Sequence, residues 1–278
     1  MSLWEGHGMR SLGLITALVT VFFSTFGHAS DASDFRHILL NQDVDPSRAA
    51  ILVHRLEDDT VWSHGGGRID ERFVAASTSK IPHTFLAIEN GYVESAETHF
   101  EWDGQERFVR SWNQDQTMAS AYARSAVWVY QTIARDLGPE TMAKGIALLK
   151  YGNQDTGASD DVDQYWLRGP LKISAREQVQ FLTSLHHEDF PLSETTYALG
   201  KSIMNTGRDD SRYAKTGWYF SDEHQDIGWY VGWHQVNVSE GQETETYVFA
   251  FNMDIDNRDT DPAKRIPVTE AILASIMK

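Results

Sequence analysis

The sequence predicts an α/β layer with a helical insertion. Aromatic and β-branched stretches lie at both ends of the chain, and capped stretches of helical period fill the middle. No internal repeat, low-complexity linker or Pro/Gly/Ser-rich hinge divides the 278 residues. That length suits one large domain, or two intimately packed ones, with a sizeable core. Hydrophobic residues at 41% with 12% aromatics exclude a disordered chain.

The first segment reads as a leader. Leu12 to Phe26 is apolar, Arg10 precedes it, and Gly27-His28-Ala29 places small residues before Ser30. Those three features describe a secretory signal peptide cleaved near Ala29. The run is too short and too broken by Ser/Thr for a membrane span, and no other stretch reaches spanning length. Met1 and Met9 both remain as starts, since Glu5 does not fit a basic leader. Stable membrane insertion is therefore not expected.

In the mature chain, Ala49 to Glu57 and Thr60 to His64 flank Asp58-Asp59 as a hairpin. A helix runs from Lys80 and closes at Asn90-Gly91. Tyr122 to Leu137 reads as one helix stopped by Gly138, and Pro139 opens the next. Ser174-Ala175-Arg176-Glu177 is a capping box ahead of Val179, Phe181, Leu182 and Leu185. Strand character returns in Tyr213 to Phe220, Ile227 to Val236 and Glu245 to Ile255. Pro267 to Met277 fits a terminal helix.

Charge and cysteine content narrow the chemistry. With 24 basic and 40 acidic residues the formal charge is −16, which argues against a nucleic-acid partner. An anionic ligand would need a local cationic patch. Zero Cys excludes disulfides, cysteine nucleophiles, iron–sulfur clusters and Cys-type zinc sites. Eleven His form no metal-binding motif, so no metal is expected. Asp254, Asp256, Asp259 and Asp261 faintly resemble a calcium loop. The sixth position lacks Gly and the twelfth, Arg265, lacks a carboxylate.

Ser77-Thr78-Ser79-Lys80 carries the first reactive pair. Residues three apart on a helix share a face, so the Lys amine would lie beside the Ser hydroxyl. The helix N-terminus would favour developing negative charge there, and a base beside a hydroxyl makes a nucleophile. Alone, Ser-x-x-Lys is a weak signal that an N-cap Ser and a surface Lys also produce. Ser125-Ala126-Val127, Tyr151-Gly152-Asn153 and Lys215-Thr216-Gly217 follow in that order. Ser-x-x-Lys with Lys-Thr-Gly is a signature of penicillin-binding proteins and serine β-lactamases.

With those four elements the mature chain resembles the class D, or oxacillinase-type, serine β-lactamases. Ser-x-Val and Tyr-Gly-Asn distinguish this class from the one that carries Ser-Asp-Asn. Trp102-Asp103-Gly104, Tyr165-Trp166-Leu167 and Gly228-Trp229-Tyr230-Val231-Gly232-Trp233 add to the likeness. One departure is Ser79, where the family usually has Phe.

The resemblance implies an α+β fold in which helices flank an antiparallel central sheet and an all-helical region is inserted. The sheet layer would take about residues 30–75 and 190–278, and the helical region about 76–189. It also implies hydrolysis of β-lactam antibiotics through an acyl-enzyme on Ser77, in the periplasm, conferring resistance. Lys80 would be carboxylated on its side-chain nitrogen by carbon dioxide or bicarbonate and act as general base. No separate cofactor is implied. Trp166 would hydrogen-bond the carboxylated lysine, with Val127 and Leu167 controlling access of water. Ser125 would relay a proton to the lactam nitrogen, and Lys215 would keep that region positive. The backbone N–H groups of Ser77 and Trp218 would form the oxyanion hole. Thr216, Gly217, Trp218 and Arg265 would bind substrate, with Lys264 the alternative to Arg265 as carboxylate anchor. Tyr151-Gly152-Asn153 would be wall and scaffold. A β-lactam sensor or penicillin-binding peptidase, acylated but slow to release, is the alternative function. The family contains both monomers and homodimers.

Overall fold

The computed structural model describes residues 33–205, 211–237 and 244–277. The expected leader lies outside these residues. The elements in chain order are α1 (Ser33–Asn41), β1 (Ala49–Arg55), β2 (Thr60–His64), β3 (Phe73–Val74) and α2 (Lys80–Glu89). Then come β4 (His99–Phe100), β5 (Gln116–Thr117), α3 (Met118–Ala123), α4 (Val127–Leu137) and α5 (Pro139–Leu148). β6 (Lys172–Ile173), α6 (Ala175–His186), α7 (Glu194–Met204), β7 (Arg212–Tyr219), β8 (Asp226–Asn237), β9 (Thr244–Ile255) and α8 (Asp261–Ile276) complete it.

The main sheet is antiparallel throughout, in the order β2-β1-β9-β8-β7. It is buried on both faces, and strand alternation sorts its side chains between two cores. Ile51, Val53, Phe249, Phe251 and Met253 pack with Phe35 and Leu39 of α1 and Val268, Ile272 and Leu273 of α8. Ala50, Leu52, Val248 and Ala250 face the opposite core, which α2 to α7 build. Double burial explains why β1 and β9 read as nearly continuous apolar runs rather than alternating ones. Each buried Ile or Phe contributes roughly 1.5–3 kcal/mol. No helix among the described residues is long and apolar enough to cross a membrane.

Local signals explain most element boundaries. Asp59 takes a left-handed φ of 58° in the hairpin turn. Gly138, at φ 82°, separates α4 from α5, and Pro139 starts α5 where no N–H partner is needed. The Ser174–Glu177 capping box opens α6 with both of its hydrogen bonds formed.

Several elements differ from the sequence expectation, among them α7, which places a helix of the α2 core within the 190–278 stretch expected as sheet layer. The helix expected over Tyr122 to Leu137 is two helices, because Ser125 takes a left-handed φ of 55° between them. The last helix begins at Asp261, not Pro267, with Pro262 in its first turn. Pro267 lies inside it. Helix α1 carried no strong periodic pattern in so short a segment. The acidic residues before α8 are held by side chains and backbone. Arg48 and Arg68 pair with Asp254 at 2.8 and 2.7 Å, and the Asp261 carboxylate accepts from the Asp256 and Asn257 N–H groups.

Candidate active site

Ser77 sits in a 3₁₀ turn, Ala76–Ser79, that runs directly into α2. Ala76, immediately before it, has a left-handed φ of 48°. Such backbone costs about 1–3 kcal/mol and persists only when its surroundings hold it. Here they do. The buried Thr78 hydroxyl donates to the Ala75 carbonyl at 2.6 Å and meets the Tyr151 hydroxyl at 2.9 Å. Gln178 of α6 donates to Thr78 Oγ1 at 2.8 Å. Ser79 is also buried, and its hydroxyl donates to the Ala76 carbonyl at 2.7 Å. The replacement of the family's Phe therefore leaves no unpaired polar atom.

Lys80 Nζ lies 3.1 Å from Ser77 Oγ, with the amine fully buried and 4.9 Å from the Tyr130 ring centroid. Burial brings its pKa down to about 7, because a desolvated ammonium is costly. Ser77 itself is half-buried, so the nucleophile is reachable and its base is not.

Ser125 occupies the left-handed turn between α3 and α4. Indoles clamp that turn: Trp112 Nε1 donates to the Arg124 carbonyl at 2.8 Å, and Trp128 Nε1 to the Trp112 carbonyl at 3.0 Å. Lys215 Nζ on β7 donates to Ser125 Oγ at 2.5 Å and to the Thr216 carbonyl at 3.0 Å. Tyr122 ties α3 to β7 through a 3.2 Å bond to the Ala214 carbonyl.

β7 runs against the nucleophile turn. A Cβ on Gly217 would stand 3.0 Å from Thr78 Cγ2 and 3.3 Å from the Thr78 nitrogen, so any larger residue would require the turn or β7 to give way. Gly217→Ala is expected to fold but to push β7 off the turn. Its kcat/KM should fall about tenfold with little change in melting temperature, since a displacement of ångström scale costs up to 100-fold. An unchanged kcat/KM would show that the approach is not needed.

Arg265 of α8 is half-buried against β7. Its Nη1 donates to the Gly217 carbonyl and its Nε to the Pro262 carbonyl at 2.7 Å. Nη2 has no acceptor among the described residues. Lys264, the alternative anchor, faces elsewhere: it pairs with Asp261 at 2.9 Å and donates to the Asp43 carbonyl at 2.9 Å.

The site thus gathers three basic side chains, Lys80, Lys215 and Arg265, the two lysines buried and the arginine half-buried, inside an acidic protein. Burial, followed by the charges of Lys80 and Arg265, pushes Lys215 well below the usual lysine range. Burial alone lowers Arg265 to about 10. The expected permanent charge on Lys215 is therefore opposed by its own site, and an arriving anion would restore it.

Trp166 is fully buried, and its Nε1 has no hydrogen-bond partner among the described residues. Its ring lies edge-on to His83, one turn along α2 from Lys80, with centroids 4.6 Å apart. Val127 opens α4 next to Ser125 and is half-buried, as is Leu167 after Trp166. Trp218 is half-buried on β7, with its indole N–H 3.2 Å from an Asp226 oxygen. Tyr151-Gly152-Asn153 braces the site from behind: Asn153 Oδ1 accepts from the Lys172 N–H at 3.0 Å, while Tyr151 reaches Thr78.

Local sequence reasoning missed His83, Tyr130 and Gln178. A signal existed for Gln178, a polar residue on the Ala175, Leu182, Leu185 stripe of α6. No comparable signal marked the other two: α2 is buried from Lys80 to Ile88, and Tyr130 reads as one more aromatic on the buried face of α4.

A half-buried Ser beside a buried Lys, a second Ser–Lys pair, and a Lys-Thr-Gly strand against the nucleophile define the active-site class of penicillin-recognising serine enzymes. The family model of the penicillin-binding-protein transpeptidase domain matches residues 60–278. β-Lactamase OXA-3 of Pseudomonas aeruginosa is 34% identical over 92% of this chain and 90% of its own length. OXA-48 of Klebsiella pneumoniae is 37% identical over 69% of this chain and 70% of its own. The class D β-lactamase YbXI from Nostoc superposes with a TM-score of 0.80 at 34% identity, covering 87% of this chain and 97% of that one. The chain belongs to the class D β-lactamases and is a serine β-lactamase, a hydrolase.

Proposed function

We propose that this enzyme hydrolyses β-lactam antibiotics, and so confers resistance, with carboxylated Lys80 as its general base. The observation that carries the lysine assignment is the pairing of a buried amine of lowered pKa with a buried, unpartnered Trp166 N–H. An amine neutral near pH 7 can add carbon dioxide, whereas an ammonium cannot. An unpaired buried donor costs about 1–3 kcal/mol and is satisfied by an arriving acceptor. Trp166 would hold the added carboxyl group from one side. That group supplies an anionic general base for removing a proton from Ser77 and, later, from water.

The residues themselves divide the remaining work. Ser77 attacks the lactam carbonyl, and the N–H groups of Ser77 and Trp218 hold the oxygen as it becomes negative. Such donors are worth about 3 kcal/mol each in acyl transfer. Ser125 passes a proton to the lactam nitrogen, and Lys215, bonded to Ser125, replaces it. Thr216, Gly217 and Trp218 line the strand along which substrate lies. Arg265 meets the substrate carboxylate, supported by an Nη2 that has no acceptor among the described residues. Val127 and Leu167 limit water near Lys80. Cleavage near Ala29 would deliver the enzyme to the periplasm; N-terminal sequencing that found the leader retained would refute this.

Turnover of a chromogenic cephalosporin with and without added bicarbonate tests the proposal. Multiple turnovers that quicken with bicarbonate are expected. A single burst equal to the enzyme concentration would instead identify a sensor or penicillin-binding peptidase. Trp166→Phe should raise the bicarbonate needed for half-maximal activity about tenfold, the loss of one hydrogen bond to a charged group. An unchanged requirement would remove Trp166 from this role.

A further inference from the structure

Helix α2 carries another buried polar side chain on the face that bears Lys80. His83 lies three residues further on and is fully buried. Its Nε2 meets the Tyr165 hydroxyl at 2.6 Å. Its ring also stands edge-on to Trp166, with the planes at 83°. Tyr165 and Trp166 pack edge-on to each other as well, centroids 4.9 Å apart. One imidazole therefore fastens two consecutive aromatic residues of the segment before β6 to the helix that carries Lys80.

The chemistry of the imidazole suits a fixed part rather than a proton carrier. Burial, with the Lys80 charge added, brings His83 down to about 3. It is neutral wherever Lys80 can be neutral. The Tyr165 hydroxyl has no partner besides this nitrogen among the hydrogen bonds of the described residues. With the hydroxyl donating to Nε2, the remaining hydrogen sits on Nδ1. Nδ1 is buried and has no partner among the described residues, and the same holds for Trp166 Nε1. Two rings in contact thus each hold an unspent polar atom, beside the helix that carries a buried amine one turn away. A packing role alone would be served by apolar rings.

We infer that His83 is a positioning residue for the Lys80 carboxylation pocket. Locked by Tyr165, it sets the orientation of the Trp166 indole that receives the lysine's carboxyl group. The inference rests on the carboxylated-lysine reading given above. It predicts that the Tyr165 hydroxyl matters for carbon dioxide retention although it reacts with nothing.

The test is a ¹³C NMR titration of the mature enzyme with ¹³C-bicarbonate at pH 7.5, following the carboxylated-lysine resonance without substrate. His83→Phe keeps the ring edge and loses the hydrogen bond, and Tyr165→Phe removes the hydroxyl alone. Each should raise the bicarbonate concentration for half-saturation roughly three- to tenfold, the range of one neutral hydrogen bond. The double variant should shift it no further than either single change, because both break the same bond. Half-saturation unchanged in Tyr165→Phe would overturn the inference, even if the melting temperature drops. That variant decides the matter should His83→Phe fail to fold. Absence of the resonance from wild-type enzyme would instead overturn the carboxylated-lysine reading, and this inference with it.

Discussion

Ser77→Ala is expected to lose β-lactam hydrolysis by roughly 10⁶-fold, the scale on which removing the nucleophile disables other serine hydrolases. The loss should appear as missing chemistry, not missing structure. The turn that carries Ser77 is held by Thr78, Tyr151 and Gln178, and none of those bonds uses the Ser77 hydroxyl. The variant should therefore melt within about 0.5 kcal/mol of wild type. It should still bind β-lactams, since Lys215 and Arg265 stay in place. Mass spectrometry after mixing with a slow substrate separates the cases: wild type should gain the mass of one opened lactam and the variant none. An adduct on the variant would place the nucleophile elsewhere. Ser125 would be the first candidate, being a half-buried hydroxyl with the Lys215 amine at 2.5 Å.

The reactive residues were legible in the sequence because their types and spacing state the chemistry. Ser-x-x-Lys and Lys-Thr-Gly need no tertiary knowledge to be noticed. The strands β7 to β9 were legible too, since aromatic and β-branched residues alternate with clear turns. Position-dependent backbone was not. Nothing in the letters Arg124-Ser125-Ala126 announces a left-handed residue, so two helices read as one. Helix α8 was cut short because Pro267 looks like a start, although the helix already begins at Asp261. The supporting shell was hidden for another reason. Thr84 meets Tyr130 across 46 residues, His83 meets Tyr165 across 82, and Gln178 meets Thr78 across 100. Local periodicity contains no information about such pairs. Electrostatic state was hidden as well. A lysine in a sequence is a cation, and only the burial of Lys80 and Lys215 together reveals that their charged forms are opposed.

That burial makes Lys80→Ala the more informative of the two largest changes. Removing the base should slow acylation and nearly stop release, with kcat down about 10³-fold, within the range of general-base catalysis. Acyl-enzyme should then accumulate on Ser77, so the same mass experiment should show an adduct that persists. Full turnover by Lys80→Ala would eliminate Lys80 as the base. The pH behaviour follows from the lowered pKa of about 7. About nine tenths of the amines are neutral at pH 8 and about one tenth at pH 6. At fixed dissolved carbon dioxide, wild-type activity should fall as pH drops through 7, and added bicarbonate should recover it less and less. Stability carries the same signature with a definite sign. Unfolded, the lysine titrates near pH 10.4, so between about 7 and 10.4 the unfolded chain holds the extra proton. With carbon dioxide excluded, wild-type stability relative to Lys80→Ala should therefore rise with pH across that window and level off below 7. A stability difference flat across the window would mean that Lys80 stays charged when buried. The site would then have to perform acyl transfer with an ammonium beside its nucleophile.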